Sequence, residues 1–388
     1  MEEAGIATER VLKELEEHTR DDFTNDSGRI LGSMICKPHE FAVEVYMKYI
    51  EKNLGDPGLY PGVGKIEKEA IRMIGSLLSH PKAYGNIVTG GSEANLMAMA
   101  VARNMRKDIR RPEVILPRSA HVSFAKAGCL LGLRERKVGL TRFFEMNVDE
   151  LRKSITKNTV AIVAVAGTTL LGVVDPIKEI SEIADENQIY LHIDAAFGGF
   201  VIPFLKELGY SAPEFDFKLR GVSSITADPH KMGFCPIPSG GILFRKQNYV
   251  KYNSVKVPYL AGGIATQGTI VGTRSGASAC AVWALMKHLG REGFREPVKH
   301  CMELTHYLAD EIERLDGVEL TVPPTVNIIG IRSKDYAIRS IWKKLRDIGW
   351  AVGGLRESLR VVILPHHRRE HIDAFLTDLK TVLRDMGK

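Results

Sequence analysis

The sequence predicts an α/β fold, in which helices cover both faces of a mostly parallel sheet and a smaller α+β domain follows. From Asn86 onward, short apolar runs alternate with helical stretches, as expected for parallel strands that are buried on both faces. After about Gly290 the order changes to helix, strand, helix, strand, helix, which indicates a second unit. The predicted domains are an N-terminal helical segment with a loop (1–60), a large α/β domain (61–290) and a small α+β domain (291–388).

The predicted elements follow one another without an internal repeat. Apolar residues at helical spacing predict an amphipathic helix over 8–18, and the glycine- and proline-rich stretch 54–62 predicts a loop. A second helix over 66–78 ends before Pro81, because a residue that precedes proline disfavours the α conformation. In the large domain the sequence predicts buried strands at 87–88, 114–116, 160–165, 189–193 and 242–244, and helices at 92–106, 121–131 and 176–187. In the small domain it predicts helices 296–315, 336–348 and 369–386 and strands 326–331 and 359–364.

Composition and charge argue against several classes of protein. The net charge of +6 comes from 53 basic and 47 acidic residues spread along the chain, so no nucleic-acid surface is expected. The five cysteines stand far apart without a CxxC pair or zinc spacing, which predicts reduced thiols and no metal site. Neither a secretory signal nor a run of ~20 apolar residues is visible, so we expect a cytoplasmic protein without a membrane partner.

A glycine pair stands where the first apolar strand of the large domain passes into a helix. Gly90 and Gly91 allow a ligand to approach the main chain, and Ser92 adds a hydroxyl donor. The free N–H groups at the start of a helix favour an anion. A plain strand-to-helix turn explains the glycines equally well, and the lysine of a Walker motif is missing. The segment predicts a phosphate site only in combination with other features.

Asp194 ends another apolar strand and is followed by small residues. Ligands of open α/β sheets bind at the carboxyl ends of the strands, where this carboxylate can keep a ring nitrogen protonated. The alternative role is a cap for the next helix, which aspartate performs well. The small neighbouring residues favour a flat ligand close to the chain.

Lys231 has an unusual setting for a lysine, among apolar and small residues beside Pro229, His230 and Gly233. Most single lysines are solvated surface groups, whereas desolvation makes an amine nucleophilic, as a Schiff-base lysine requires. One helix and one returning strand separate it from Asp194, so both side chains can meet at one end of the sheet. Together with the glycine pair, they predict a site for pyridoxal 5'-phosphate (PLP).

Several segments resemble a known family. GGSEAN, HIDAAFGG and ADPHKMG are similar to motifs of the group II PLP-dependent amino-acid decarboxylases, which have the aspartate-aminotransferase-like fold of PLP-dependent transferases, fold type I. LGDPGLYPG, DPHKMGFCPIPSGG and GTRSGASA resemble more narrowly the archaeal L-tyrosine/L-aspartate decarboxylases. The resemblance covers essentially the whole chain, and DPHKMG is specific. It implies a PLP-dependent carboxy-lyase that forms a homodimer with its active site at the subunit interface.

The same resemblance implies roles for residues around the cofactor. Lys231 would carry PLP as a Schiff base, and Asp194 would pair with the pyridinium nitrogen. Gly91 and Ser92 would bind the phosphate, and His230 would lie beside the lysine.

Three more residues of the site follow from the resemblance. His121 would stack on the ring, Thr168 would lie near the cofactor, and Ala196 would pack under the ring. From spacing alone, His121 is better explained as an ordinary capping or core histidine. His121 and Tyr259 are both candidates for the acid that returns a proton to the substrate.

Substrate contacts are implied for Tyr60 and Arg360. Arg360 enters an apolar strand of the small domain, where a charge is costly unless it is paired, and a guanidinium suits a carboxylate. A firm hold on the α-carboxylate that leaves would oppose decarboxylation. Arg360 would therefore bind a side-chain carboxylate or close the domain interface instead.

The implied reaction converts L-tyrosine to tyramine, as in methanofuran biosynthesis, or L-aspartate to β-alanine, as in coenzyme A biosynthesis, through a quinonoid carbanion. Glutamate stays open as a substrate. The alternatives are another carbon–carbon PLP lyase, such as a sphingosine-phosphate-lyase-like enzyme, and a metal-dependent hydrolase built on His192, Asp194 and His230. The hydrolase leaves Lys231 unexplained, and a non-catalytic scaffold would have lost this lysine.

Overall fold

The computed structural model describes residues 3–355 and 357–387, and these form three sheets and twelve α-helices. The predicted domains 1–60 and 291–388 include residues 1, 2, 356 and 388, which lie outside the described residues. The strands are β1 (Tyr84–Val88), β2 (Glu113–Pro117), β3 (Arg134–Val138), β4 (Thr159–Val165), β5 (Tyr190–Asp194), β6 (Val222–Ala227), β7 (Gly240–Phe244), β8 (Val255–Val257), β9 (Ala265–Gln267), β10 (Val318–Leu320), β11 (Ile328–Ser333), β12 (Gly353–Leu355) and β13 (Ser358–Val362). The helices are α1 (Thr8–Thr19), α2 (Glu40–Lys48), α3 (Pro61–Leu77), α4 (Gly91–Met105), α5 (Ser123–Leu131), α6 (Val148–Ser154), α7 (Ile177–Glu186), α8 (Ile202–Leu205), α9 (Gln247–Lys251), α10 (Gly276–Glu313), α11 (Ile338–Asp347) and α12 (Arg369–Met386).

The largest sheet has seven strands in the order β1-β7-β6-β5-β4-β2-β3. Strands β2 to β6 pair in parallel, and β7 pairs antiparallel with β6 and β1. In β4, Ile162 and Ala164 join a core cluster that contains residues of α7, whereas Val163 joins a second cluster with residues of α4 and α5. Alternate residues of one strand thus face different helical layers. The predicted α/β fold with a mostly parallel sheet is confirmed.

The sequence does not predict β3, because its residues RERKV are mostly charged. This strand lies at the edge of the sheet. Arg136 donates two hydrogen bonds to the buried carboxylate of Glu113 in β2, at 2.7 and 3.1 Å, and thereby lowers the pKa of Glu113. An edge strand with one packed face tolerates charges that a central strand excludes.

The second sheet is antiparallel, with four strands in the order β10-β11-β13-β12. Helix α10 leads into it and changes direction at Gly290, whose φ of 58° is left-handed and favours glycine. This change of direction lies at the residue after which the sequence predicts a different order of helices and strands. The domain limits themselves stay a prediction. The short strands β8, β9, β10 and β12 carry too few residues for a periodic signal.

No helix within residues 3–355 and 357–387 combines the length and hydropathy needed to cross a bilayer.

All five cysteines are free thiols. Cys129 on α5 is exposed, and the other four are buried. Burial raises the pKa of the Cys36 and Cys235 thiols, and raises that of Cys280 to about 11.

Candidate active site

The carboxyl ends of the central parallel strands and the amino end of α4 surround a cavity of about 350 Å³. Val165 ends β4, Asp194 ends β5, and Asp228 follows β6, so each crossover delivers a side chain to the same edge of the sheet. Predicted site residues that line the cavity are Gly91, Ser92, His121, Asp194, Ala196, His230 and Lys231.

Lys231 lies in the turn after β6, and its amine faces the carboxylate of Asp228. The distance from Lys231 Nζ to Asp228 Oδ2 is 3.3 Å, and His230 Nε2 lies 3.5 Å from the same oxygen. Burial raises the pKa of Asp228, but Lys231 and then His230 outweigh this effect, so the pKa lies below its usual value. Asp228 Oδ1 is buried and has no hydrogen-bond partner among the described residues.

The amino end of α4 touches the same carboxylate. The N–H of Gly91 donates to Asp228 Oδ2 at 3.1 Å. A Cβ at Gly91 would lie 2.7 Å from that oxygen, so any larger residue here would have to displace the Asp228 carboxylate. The N–H groups of the first helical turn otherwise lack carbonyl partners within the helix, and with the Ser92 hydroxyl they can bind an anion. The predicted anion site thus depends on Ser92 more than on Gly91, whose N–H is already bound.

Each oxygen of the Asp194 carboxylate accepts a hydrogen bond from a neutral donor. Asn95 Nδ2 donates to Oδ2 at 3.0 Å, and the Ala196 N–H donates to Oδ1 at 3.2 Å. Asn95 lies one turn after Gly91 on α4 and is 1% exposed. Because these carboxylate oxygens accept, the amide of Asn95 is assigned with its NH₂ group toward Asp194.

All four hydrogen-bonding capacities of the Asn95 amide are used inside the protein. Its second N–H donates to Ser123 Oγ at 3.0 Å, and its Oδ1 accepts from Thr226 Oγ1 at 2.8 Å and from His192 Nε2 at 3.0 Å. Burial lowers the pKa of His192 to about 3, so the ring is neutral and its Nδ1 accepts from the Ser224 hydroxyl at 2.8 Å. Both ring nitrogens of His192 are therefore engaged, which argues against the alternative of a hydrolytic metal centre.

His121 precedes α5 and borders the cavity. The Ser123 N–H donates to His121 Nδ1 at 3.2 Å, and the Ser123 hydroxyl lies 3.0 Å from the same atom. Because a backbone N–H can only donate, Nδ1 accepts and the neutral ring carries its hydrogen on Nε2. Burial lowers the pKa of His121; Asp194 opposes this effect and Lys231 adds to it.

Thr168 lies outside the cavity lining, although its neighbours Gly167 and Thr169 belong to it. The Thr168 hydroxyl accepts a hydrogen bond from the Val173 N–H at 3.0 Å and thereby closes the turn after β4. The contact with the cofactor that the resemblance implies for Thr168 stays a prediction. Ala196, in contrast, lines the cavity.

Arg360 lies behind the cavity wall. Its Nη1 donates to the Thr169 carbonyl at 3.0 Å, and its Nη2 donates to the Gly32 carbonyl. Burial lowers the pKa of Arg360, and its Nε has no hydrogen-bond partner in the part of the chain that the structure describes. The guanidinium is thus half-buried beside the cavity and bound by carbonyl oxygens rather than by a carboxylate.

The two predicted tyrosines lie outside the cavity lining. Tyr60 precedes α3, and the ammonium of Lys52 lies 5.3 Å from the centre of its ring. Tyr259 is 83% exposed in the segment between β8 and β9. The structure of one chain therefore does not bring them together with Lys231.

Asn95 and Asp228 are site residues that sequence reasoning misses, although both stand inside the recognised segments GGSEAN and ADPHKMG. Asn95 follows Gly91 by one helical turn, and Asp228 precedes Lys231 in the same tight turn. Helical periodicity could have identified Asn95, because a residue four positions after Gly91 lies on the same face of α4 as Gly91.

The residues around the cavity fit PLP by chemistry and size. PLP needs an amine for its aldehyde, an acceptor for its ring N–H and donors for its phosphate, and Lys231, Asp194 and the start of α4 with Ser92 provide these groups. A volume of about 350 Å³ is within the range of small-ligand cavities.

Comparisons with known proteins agree with this geometry. Residues 35–334 match the model of the pyridoxal-dependent decarboxylase conserved domain. The chain is 51% identical to the L-aspartate decarboxylase of Thermococcus kodakarensis over 98% of this chain and 99% of that protein. It is also 51% identical to a protein of Methanothermobacter thermautotrophicus named "Probable L-tyrosine/L-aspartate decarboxylase", over 92% of this chain and 98% of that protein.

A solved structure is similar over nearly the whole chain. The sphingosine-1-phosphate lyase of Burkholderia pseudomallei superposes with a TM-score of 0.92 and 29% identity, over 99% of this chain and 92% of that chain. The structural likeness extends to an enzyme that is named for another reaction, so the substrate has to be argued from the site.

Proposed function

Because this chain belongs to the family of pyridoxal-dependent decarboxylases, we propose that it removes the α-carboxyl group of L-aspartate and releases β-alanine. One observation carries the choice of substrate: the half-buried guanidinium of Arg360 lies beside the cavity wall without a carboxylate partner among the described residues. A dicarboxylic substrate would supply that partner through its side chain.

The residues of the cavity have separate tasks in this reaction. PLP, when bound, withdraws electrons from the α-carbon so that the carboxylate can leave as carbon dioxide. Lys231 would hold the cofactor covalently, Asp194 would accept the N–H of its ring, and Ser92 would donate to its phosphate. His121 presents Nε2–H at the cavity wall, which supports it as the group that positions or delivers the proton at the α-carbon.

L-Tyrosine is a second candidate substrate. It is supported by the name of the Methanothermobacter relative, which includes both amino acids. A tyrosine side chain would need an apolar slot in place of a cation. Release of carbon dioxide from L-aspartate, L-tyrosine and L-glutamate by the purified enzyme distinguishes these candidates directly.

The Arg360→Met variant tests the assignment of the side-chain contact. Loss of a charged hydrogen-bonded pair should lower kcat/KM for L-aspartate by about a hundredfold. The same variant should leave tyrosine turnover and the visible absorbance of bound PLP unchanged. Arg134→Met, at the exposed edge strand β3, is the matched control. If aspartate turnover survives Arg360→Met, the guanidinium does not select the substrate.

We also propose that the enzyme is a homodimer whose partner completes the active site. The segment that includes Tyr259 exposes apolar side chains in one chain, with Ile264 77% and Ile270 50% exposed. A partner subunit would cover them and bring Tyr259 to a cavity. Light scattering that shows an active monomer would contradict this proposal. The cytoplasmic location and the links to methanofuran and coenzyme A biosynthesis stay predictions.

A further inference from the structure

A second cavity lies at the edge of the large sheet opposite to Lys231. It has a volume of about 480 Å³ and opens where α4 and α5 end and the chain enters β2. The catalytic cavity lies at the amino end of α4, and the 15 residues of this helix span about 22 Å, so the two cavities are separate. The proposed reaction gives the second cavity no task.

Most of the net charge of the chain is concentrated at this second cavity. The segment 103–111 contains five basic residues and one acidic residue, and therefore four of the six net positive charges of the protein. Four of the basic residues line the cavity, namely Arg103, Arg106, Lys107 and Arg110. Within residues 3–355 and 357–387, Arg106 alone among these four has an acidic partner, Asp108 at 3.1 Å, and no acidic side chain lines the cavity. Neighbouring like charges repel one another unless an anion lies between them.

The carboxyl ends of two helices explain part of this charge. Helix α4 ends at Met105 and α5 ends at Leu131. The carbonyl groups at each helix end act as roughly half a negative charge, and this effect falls off within the last turn. Both ends together balance about one of the four cations, and Arg110 lies beyond the last turn of α4. The second cavity therefore retains positive charge that nothing in the described part of the chain balances.

We propose that the second cavity binds a polyphosphate chain, either free or as part of a nucleotide. Guanidinium groups bind phosphate oxygens through paired hydrogen bonds, and an ammonium adds a point charge. Three arginines and one lysine offer more donors than a single phosphate group can accept from, and a volume of about 480 Å³ is within the range of small-ligand sites. Ile109 and Leu131, both partly exposed, add apolar surface for an organic group.

The lining argues against a nucleic-acid strand as the ligand. Proteins that bind single strands stack the bases on aromatic side chains. Among the residues that the structure describes, no aromatic side chain lines the second cavity. The polyphosphate chain of a small molecule therefore fits the site better.

Titration calorimetry of the holoenzyme tests the proposal. Borohydride reduction first links PLP covalently, so that the cofactor's own phosphate position is occupied and cannot take up the probe. Inorganic triphosphate and ATP, without magnesium, should bind about tenfold or more tightly than inorganic phosphate, and adenosine should not bind. Tighter binding of ATP than of triphosphate would support a nucleotide, and equal affinities would support a free polyphosphate chain.

A double variant assigns the binding to this cavity. Arg103→Met/Lys107→Met removes two exposed cations and should weaken triphosphate binding about a hundredfold, because two charge-assisted contacts are lost. Arg339→Met/Lys343→Met is the matched control, since it removes an arginine and a lysine at the same spacing from the exposed face of α11. The control should bind triphosphate like the wild type, and both variants should keep the visible absorbance of bound PLP.

Chemical labelling of the wild type gives a readout that needs no substitution. Triphosphate should slow the acetylation of Lys107 by acetic anhydride, measured by peptide mass spectrometry, and should leave that of the exposed Lys343 unchanged. Three results would each overturn the proposal: equal affinities for triphosphate and phosphate, an unchanged affinity in Arg103→Met/Lys107→Met, and acetylation of Lys107 that triphosphate does not slow.

Discussion

Asp194 and Asp228 are two buried carboxylates at the edge of one cavity, but they are stabilised by different means. Asp194 accepts hydrogen bonds from the neutral donors Asn95 and Ala196, and the Asn95 amide is itself fully bonded. Asp228 depends on the charge of Lys231 and keeps one oxygen without a partner among the described residues. Fixed dipoles hold the Asp194 carboxylate independently of any partner's charge, whereas the Asp228 carboxylate is held by a side chain that takes part in the proposed reaction.

Removal of the Lys231 amine should have the largest effect on the enzyme. Lys231→Ala should abolish covalent attachment of PLP and lower the rate of decarboxylation on the order of a thousandfold or more. It should also raise the pKa of Asp228, since its main counter-charge is lost. Borohydride treatment followed by absorbance and mass measurement reports the covalent link. A variant that keeps a reducible PLP adduct would assign the link to another amine.

Asn95→Leu should be the most destabilising change in the hydrogen-bond network around Asp194. Leucine has the same branched arrangement of four side-chain heavy atoms but leaves Asp194, His192 and Thr226 without their partner, at a cost of about 3 kcal/mol in the free energy of unfolding. Urea denaturation of the apoenzyme measures this cost. Thr305→Val, which removes one buried hydroxyl bonded within α10, is the control and should cost about 1 kcal/mol. Equal costs would mean that the network contributes no more than a single hydrogen bond.

His192, in the hydrogen-bond network around Asp194, should make the stability of the protein sensitive to acid. Its folded pKa is about 3, while an unfolded histidine binds a proton below about pH 6.5. The free energy of unfolding therefore falls as the pH decreases through this window, by up to about 1.4 kcal/mol per pH unit for this residue. His192→Gln keeps a donor for Asn95 and should flatten the slope between pH 6 and 4. An unchanged slope would assign the acid sensitivity to other groups.

Ser123→Ala should have the smallest effect. The hydroxyl links Asn95 to His121, but the backbone N–H of position 123 still donates to His121 Nδ1. We expect a loss of about 1 kcal/mol in stability and an unchanged Nε2–H tautomer. Nitrogen-15 chemical shifts of the histidines check the tautomer. A change to Nδ1–H would show that the hydroxyl, not the backbone, determines the state of the ring.

The sequence predicts most of the large sheet and the position of Asp194 well, because Asp194 ends an apolar strand whose burial leaves a clear pattern. It predicts the strand that leads to Lys231 only as a returning strand without bounds, because the residues of β6, VSSITA, are half polar. It does not predict Asn95 as a partner of Asp194, because a polar residue on a helix resembles a solvated one until the register of α4 over the sheet is known. The sequence does not predict the charged strand β3 for a related reason, because only its position at the edge of the sheet explains its composition.

The sequence leaves alternative roles open for Tyr259 and Arg360 for a different reason. In the proposed dimer the exposed segment of Tyr259 would meet a surface outside this chain, and in the proposed reaction the half-buried Arg360 guanidinium would meet a substrate. Residues whose partners belong to the same chain can be placed by packing rules. Residues whose partners arrive from outside it cannot.

The distribution of the five thiols makes the protein convenient for site-specific labelling. Four cysteines are buried, and an alkylating dye needs an accessible thiolate, so Cys129 should react first in the native enzyme. Cys129 is carried by the helix whose first residue, Ser123, bonds to His121. A fluorophore can therefore be attached at this natural position, on the helix that begins beside the cavity, without any substitution in the chain.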